Sequence, residues 1–156
     1  MVREAIHASR ARKEKGMIIK LNMANAFDRV NHNFLIKVQE KFGFSGKIIS
    51  LIKACISNPW IAPLVNGRPS KFFKGSKGLR QGFPLSPLLY VLMAESLTRI
   101  LLDEQDKGNI PGIKFLEETQ AVNHALFTDD AICMGGASVR IAKRFKSTLS
   151  AYCKVS

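Results

Sequence analysis

The sequence predicts an α+β domain, an antiparallel sheet packed by helices. Three observations carry this. Residues 17–23 alternate as a half-buried strand does, with Met17, Ile19, Leu21 and Met23 on one face and Ile18, Lys20 and Asn22 on the other. Two more apolar stretches, about 122–128 and 131–134, flank Asp129-Asp130 and read as a hairpin with both carboxylates at its tip. Segments of helical period lie between, so strands and helices follow one another locally, without a regular βαβ alternation.

The elements follow in order. Residues 2–15 read as a basic helix stopped by Gly16. After the first strand, Phe34, Leu35, Val38 and Phe42 mark a helix over about 32–42. Ile48, Ile49, Leu51, Ile52 and Cys55 mark another, beyond a turn bracketed by Gly43 and Gly46. Residues 60–66 and 70–74 read as strands around an Asn66-Gly67 turn, with Pro63 weakening the first. Ser86-Pro87 reads as an N-cap and first helical residue, opening an apolar helix that runs to about Asp103. Asn109 to Gly112 is a turn. The last helix starts near Ser138, with Val139, Ala142, Phe145, Leu149 and Tyr152 on one stripe.

With 156 residues the chain is long enough for one domain with a core. Its hydrophobic content of 46% and charged content of 23% are globular values. The net charge of +12, from 24 basic and 12 acidic residues, points to a polyanionic partner, most often nucleic acid. A basic ribosomal-type or tail-like protein is the alternative. The acids are unevenly placed. Between Glu40 and Glu95 there is none, while Lys41, Lys47, Lys53, Arg68, Lys71, Lys74, Lys77 and Arg80 stand there. After Asp130 there is again none, while Arg140, Lys143, Arg144, Lys146 and Lys154 follow.

Cys55, Cys133 and Cys153 form no CxxC pair, which argues against a zinc site and a disulfide framework and for reduced, intracellular thiols. The nucleus or an organelle suits such a chain. The N-terminal stretch lacks an apolar signal core; Glu4 and Glu14 count against a transit peptide. Leu88 to Leu102, interrupted by Glu95 and Arg99, is too short and too charged to span a bilayer, so no membrane partner is expected. Oligomeric state is left open.

Two stretches are candidates for chemistry. Adjacent carboxylates repel unless a cation neutralises them, so Asp129 and Asp130 suggest a Mg²⁺ site facing phosphate oxygens. A polar turn is the plain alternative. Gly78-Leu79-Arg80-Gln81-Gly82-Phe83-Pro84-Leu85-Ser86-Pro87 combines glycines that admit a ligand close to backbone with an arginine suited to phosphate. An ordinary loop into a capped helix is the alternative there.

Together these stretches carry a resemblance. GLRQGFPLSP (78–87) resembles the GLRQGDPLSP signature of LINE-type (non-LTR retrotransposon) reverse transcriptases. FTDD (127–130) resembles their FADD box, LNMANAFDRV (21–30) their LDMSKAFDRV segment, and VNGRPSKFF (65–73) a typical VNGxPSxFF hairpin. The helix ending at Ser156 resembles the segment after the catalytic hairpin. The order and spacing match over nearly the whole chain, so residues 1–156 form one partial reverse transcriptase domain by this resemblance.

The resemblance implies the palm of a right-handed polymerase with part of the fingers, truncated, with no thumb. It implies RNA-directed DNA polymerase chemistry with two Mg²⁺ ions, an RNA template, a DNA primer and deoxynucleotides. Asp129 and Asp130 match the metal-binding carboxylates of the catalytic hairpin. Phe27 matches the aromatic residue that screens against a ribose 2′-hydroxyl, with core packing as its plain alternative. Arg80, Gln81 and Gly82 match the loop near the incoming nucleotide and template, and Lys71, Lys74, Lys77 and Arg80 are the expected nucleic-acid contacts. Asp28 and Arg29 read as a structural charge pair.

The departures are specific. The family's catalytic aspartate on the first strand is Asn22 here, its loop aspartate is Phe83, and the alanine of its FADD box is Thr128. The expectation is an impaired polymerase fragment; a non-catalytic basic nucleic-acid-binding module or a decayed reading frame is the alternative.

Overall fold

The computed structural model describes residues 2–11, 15–23, 25–57, 60–116, 118–127 and 130–156, without the side chains of residues 2 and 8–11. The described chain forms two compact units, one of residues 1–24 and 94–154, the other of residues 25–93 and 155–156.

The first unit contains the larger sheet. Strand β1 (Gly16–Asn22) pairs antiparallel with β7 (Asp130–Gly136), which also pairs with β6 (His124–Phe127), giving the order β1-β7-β6. Alternation sorts the side chains as expected for β1. Ile18, opposite Met134, packs with Ile132, Phe115, Val122 and the buried Ala5 of helix α1 (Val2–Ala11). On the other face, Gly135 lies so close to Ile141 and Phe145 of helix α5 (Val139–Val155) that a Cβ there would stand 3.2 Å from Ile141 Cγ2. The small residue lets the helix sit down on the strand.

Helix α5 is capped by the Ser138 hydroxyl, which accepts from Ile141 N, and it buries Phe145 and Tyr152. Val139, expected on the buried stripe, is exposed because it lies in the first turn, ahead of that contact. Residues 94–106, the later part of helix α4 (Ser86–Asp106), bury Leu97 and Leu101. The buried Glu104 carboxylate binds the Arg144 guanidinium through both oxygens, one bond measuring 2.8 Å, so a charge clamp joins α4 and α5.

The second unit holds α2 (His32–Lys41), α3 (Gly46–Ile56) and the start of α4 around a core of Val30, Leu35, Val38, Ile56, Leu79, Leu89 and Met93. The Asn31 side chain caps α2 by accepting from Asn33 N and Phe34 N, and Ser45 caps α3. Four two-residue strands follow: β2 (Trp60–Ile61), β3 (Leu64–Val65), β4 (Arg68–Pro69) and β5 (Phe73–Lys74). β3 pairs with β4 around Asn66-Gly67, whose φ values of 50° and 76° are those of a tight hairpin turn; β2 pairs with β5.

Several expectations need correction. Helix α1 is described only to Ala11, and Gly16 opens β1 instead of ending a helix. The single hairpin of 60–66 and 70–74 is two short ladders, because Pro63 has no N–H to donate and contributes only its carbonyl, bonded by Ser70 N at 2.9 Å. On α3 the buried side is Ile56 with Ile52, whereas Ile48, Leu51 and Cys55 face solvent. Ser86 does not cap α4: the first helical bond runs from Leu89 N to Leu85 O, and the Ser86 hydroxyl donates to Arg80 O. α4 also continues three residues past Asp103. Asp28 and Arg29 lie exposed in a turn and form no ion pair among the described residues. No helix is long and apolar enough to cross a membrane.

Candidate functional site

In the first unit the candidate residues sit in a row across the end of the sheet. Asn22 is the last residue of β1 and stands opposite Asp130, the first of β7, which stands opposite Phe127, the last of β6. Opposed residues share a face, so these three side chains and Lys20, two residues before Asn22, lie on one surface. Lys20 reaches diagonally to Asp130, Nζ to Oδ2 at 2.8 Å. Asp130 Oδ1 is buried and has no hydrogen-bond partner among the described residues. Asp130 is thus a strand residue, not part of the hairpin tip. Thr128 and Asp129 lie outside the described residues.

The described part of the donor set, without Asp129, holds one carboxylate. A hard dication asks for anionic oxygens. Here Asn22 supplies a neutral amide, and the one described carboxylate already faces an ammonium group. Among the described residues no three His, Cys, Asp or Glu side chains gather in a way that would hold a metal ion. Next along the hairpin, Cys133 stands opposite His124. Burial pushes the Cys133 thiol up to about 11 and the His124 imidazole below its ordinary value, with Glu95 pulling the imidazole the other way. Burial thus favours the neutral form of both side chains.

The remaining candidates belong to the second unit. Phe27 stacks on Tyr90 with ring centroids 4.7 Å apart and packs against the apolar core. Its carbonyl accepts from Leu79 N at 2.7 Å, so the residue that fills the core also anchors the glycine-rich loop. Gly78 N donates to Val30 O, and the Gly78 carbonyl accepts from the His32 ring at 2.7 Å, with the proton on Nε2. Pinned at Gly78 and buried at Leu79, the loop presents Arg80, Gln81 and Gly82 to solvent. Lys71, Lys74 and Lys77 are exposed as well. Reasoning from sequence missed Tyr90, one position off the α4 core stripe of Leu89 and Met93, and the part played by Phe127; only three-dimensional pairing reveals either.

A family model described as reverse transcriptase (RNA-dependent DNA polymerase) matches residues 2–155. The chain belongs to this family. It is 26% identical over 145 residues, 91% of its length, to a retrovirus-related Pol polyprotein from type-1 retrotransposable element R2 of Popillia japonica. It is 25% identical over 85% of its length to a transposon TX1 protein of Xenopus laevis, and 42% identical over 67 residues to an uncharacterized mitochondrial protein of Arabidopsis thaliana. The matched regions span 23%, 10% and 55% of these three proteins, respectively. The likeness to retrotransposon reverse transcriptases read from the four motifs therefore holds.

Proposed function

We propose that the chain is part of a LINE-type RNA-directed DNA polymerase whose metal site no longer supports synthesis. The observation that carries this is the row Asn22–Asp130 with Lys20 set against it. In this reading β1, β6 and β7 are the palm sheet, and the second unit supplies part of the fingers. RNA template, DNA primer and deoxynucleotides are the partners. Phe27 is the screen against a ribose hydroxyl, and Arg80, Gln81 and Gly82 lie beside nucleotide and template.

Two-metal phosphoryl transfer needs anionic oxygens bridging a pair of ions about 3.5–4 Å apart. The formal charges of Lys20, Asn22 and Asp130 cancel, and Asp129, the other carboxylate of this stretch, lies outside the described residues. What persists is a basic surface suited to phosphate. A Mn²⁺ titration followed by electron paramagnetic resonance tests the reading. The unaltered chain shows no saturable uptake, and Asn22→Asp gains it. Saturable uptake by the unaltered chain that disappears in Asp130→Asn overturns the proposal.

A further inference from the structure

The ribbon of β2 and β5 with the β3–β4 hairpin has no covered face. Trp60 and Lys74 stand opposite each other on one side, and Ile61 and Phe73 stand opposite each other as the next pair, on the other. Trp60 is 63% exposed and Phe72 66% exposed, and Ile61, Leu64, Val65 and Phe73 are exposed too. A two-stranded ribbon in water is marginal by itself, and large apolar side chains on both faces mark a surface built to be covered.

Charge decides what covers it. Arg68, Lys71, Lys74 and Lys77 are interleaved with the aromatic residues, and no carboxylate occurs between Glu40 and Glu95. The Lys74 ammonium lies 5.4 Å from the centroid of the Trp60 ring. An apolar protein segment gains nothing from so many unbalanced cations. A single nucleic-acid strand gains from both features: its phosphates meet the cations, and its unpaired bases offer flat faces for the rings. A duplex hides those faces.

We propose that this ribbon is a platform for single-stranded nucleic acid, with Trp60 and Phe72 stacking on bases and Arg68, Lys71 and Lys77 pairing with phosphates. The inference shares with the polymerase reading only the class of partner. It needs no metal, so the test is run in EDTA and fails or succeeds apart from catalysis.

Trp60 is the chain's one tryptophan, so its fluorescence reports the ribbon directly. The probe is an oligouridylate of about 15 nucleotides, long enough for a site of this kind, compared with an abasic strand of equal length and with a duplex. Oligouridylate quenches Trp60 and binds more tightly than either control. Trp60→Ala, checked for folding by circular dichroism, binds about tenfold more weakly with an unchanged salt dependence, because stacking and not phosphate contact is lost. Trp60→Phe keeps most of the affinity. Replacing Lys71 and Lys77 by Gln lowers the slope of log K against log salt by about two. Should Trp60→Ala fail to fold, quenching of the unaltered chain and the behaviour of Trp60→Phe still decide the matter. Binding without quenching, or equal affinity for the abasic strand, overturns the proposal. So does a concentration-dependent dimer that Trp60→Ala dissociates, which makes a second copy of the chain the occupant.

Discussion

At Asp130 the Lys20 ammonium stands 2.8 Å from one carboxylate oxygen. An exposed ion pair such as Lys20–Asp130 adds only ~0.2–1 kcal/mol to stability. Its weight lies in local charge, since it sets an ammonium beside the Asp130 carboxylate. The face that Lys20 shares with Asn22 was legible in the alternation of residues 17–23. The diagonal reach to Asp130 was not, because it depends on register between strands more than a hundred residues apart. Gly78 makes a sharper residue-scale case. Its φ of +89° is left-handed, and a Cβ would meet Asp28 O at 2.8 Å and Asp28 Cα at 3.0 Å. Those are backbone atoms and cannot swing aside. Gly78→Ala is expected to cost about 2–4 kcal/mol, combining left-handed strain with overpacking. Urea denaturation measures it; a loss below about 0.5 kcal/mol, within the range of a neutral surface change, contradicts the packing described.

At the scale of elements, the strands with strict alternation and the helices with strong apolar spacing were legible. The failures share one cause: local grammar says nothing of a partner elsewhere. Ser86-Pro87 has the pattern of a helix start, yet the hydroxyl is taken by Arg80 O. Ile48 and Leu51 have helical spacing, yet the neighbouring core engages Ile52 and Ile56 instead. The Glu104–Arg144 clamp between α4 and α5 is likewise invisible in the sequence, where the two residues are forty apart. The hydrogen-bonded Arg144 guanidinium holds the Glu104 carboxyl below its ordinary 4.5, outweighing burial, which acts in the opposite sense. A carboxyl depressed on folding contributes stability above its unfolded value, and that contribution is lost as pH falls through the folded value. The clamp therefore holds at neutral pH and fails in acid. Glu104→Gln is expected to lower the melting midpoint by about 3–6 °C at pH 7, with the difference from the unaltered chain shrinking below the ordinary carboxylate range. Equal midpoints at pH 7, or a difference that grows in acid, contradict this account.

On the scale of the whole molecule, two features persist together: the motif order of a reverse transcriptase and a charge of +12 drawn from segments almost free of acids. The first comes from the family. The second is a charge of the sign that attracts polyanions. Against both stands Asn22, a single amide opposite Asp130. The reading of Asn22 as standing at the position of a family aspartate comes from sequence only through resemblance, since no composition or spacing marks an asparagine in that way. The measurement that bears most directly on this is nucleotide incorporation on a primed RNA template, with Mg²⁺ or Mn²⁺, by the unaltered chain beside Asn22→Asp. The account predicts no template-dependent extension by the unaltered chain and a gain in the variant. Template-dependent extension by the unaltered chain would contradict it.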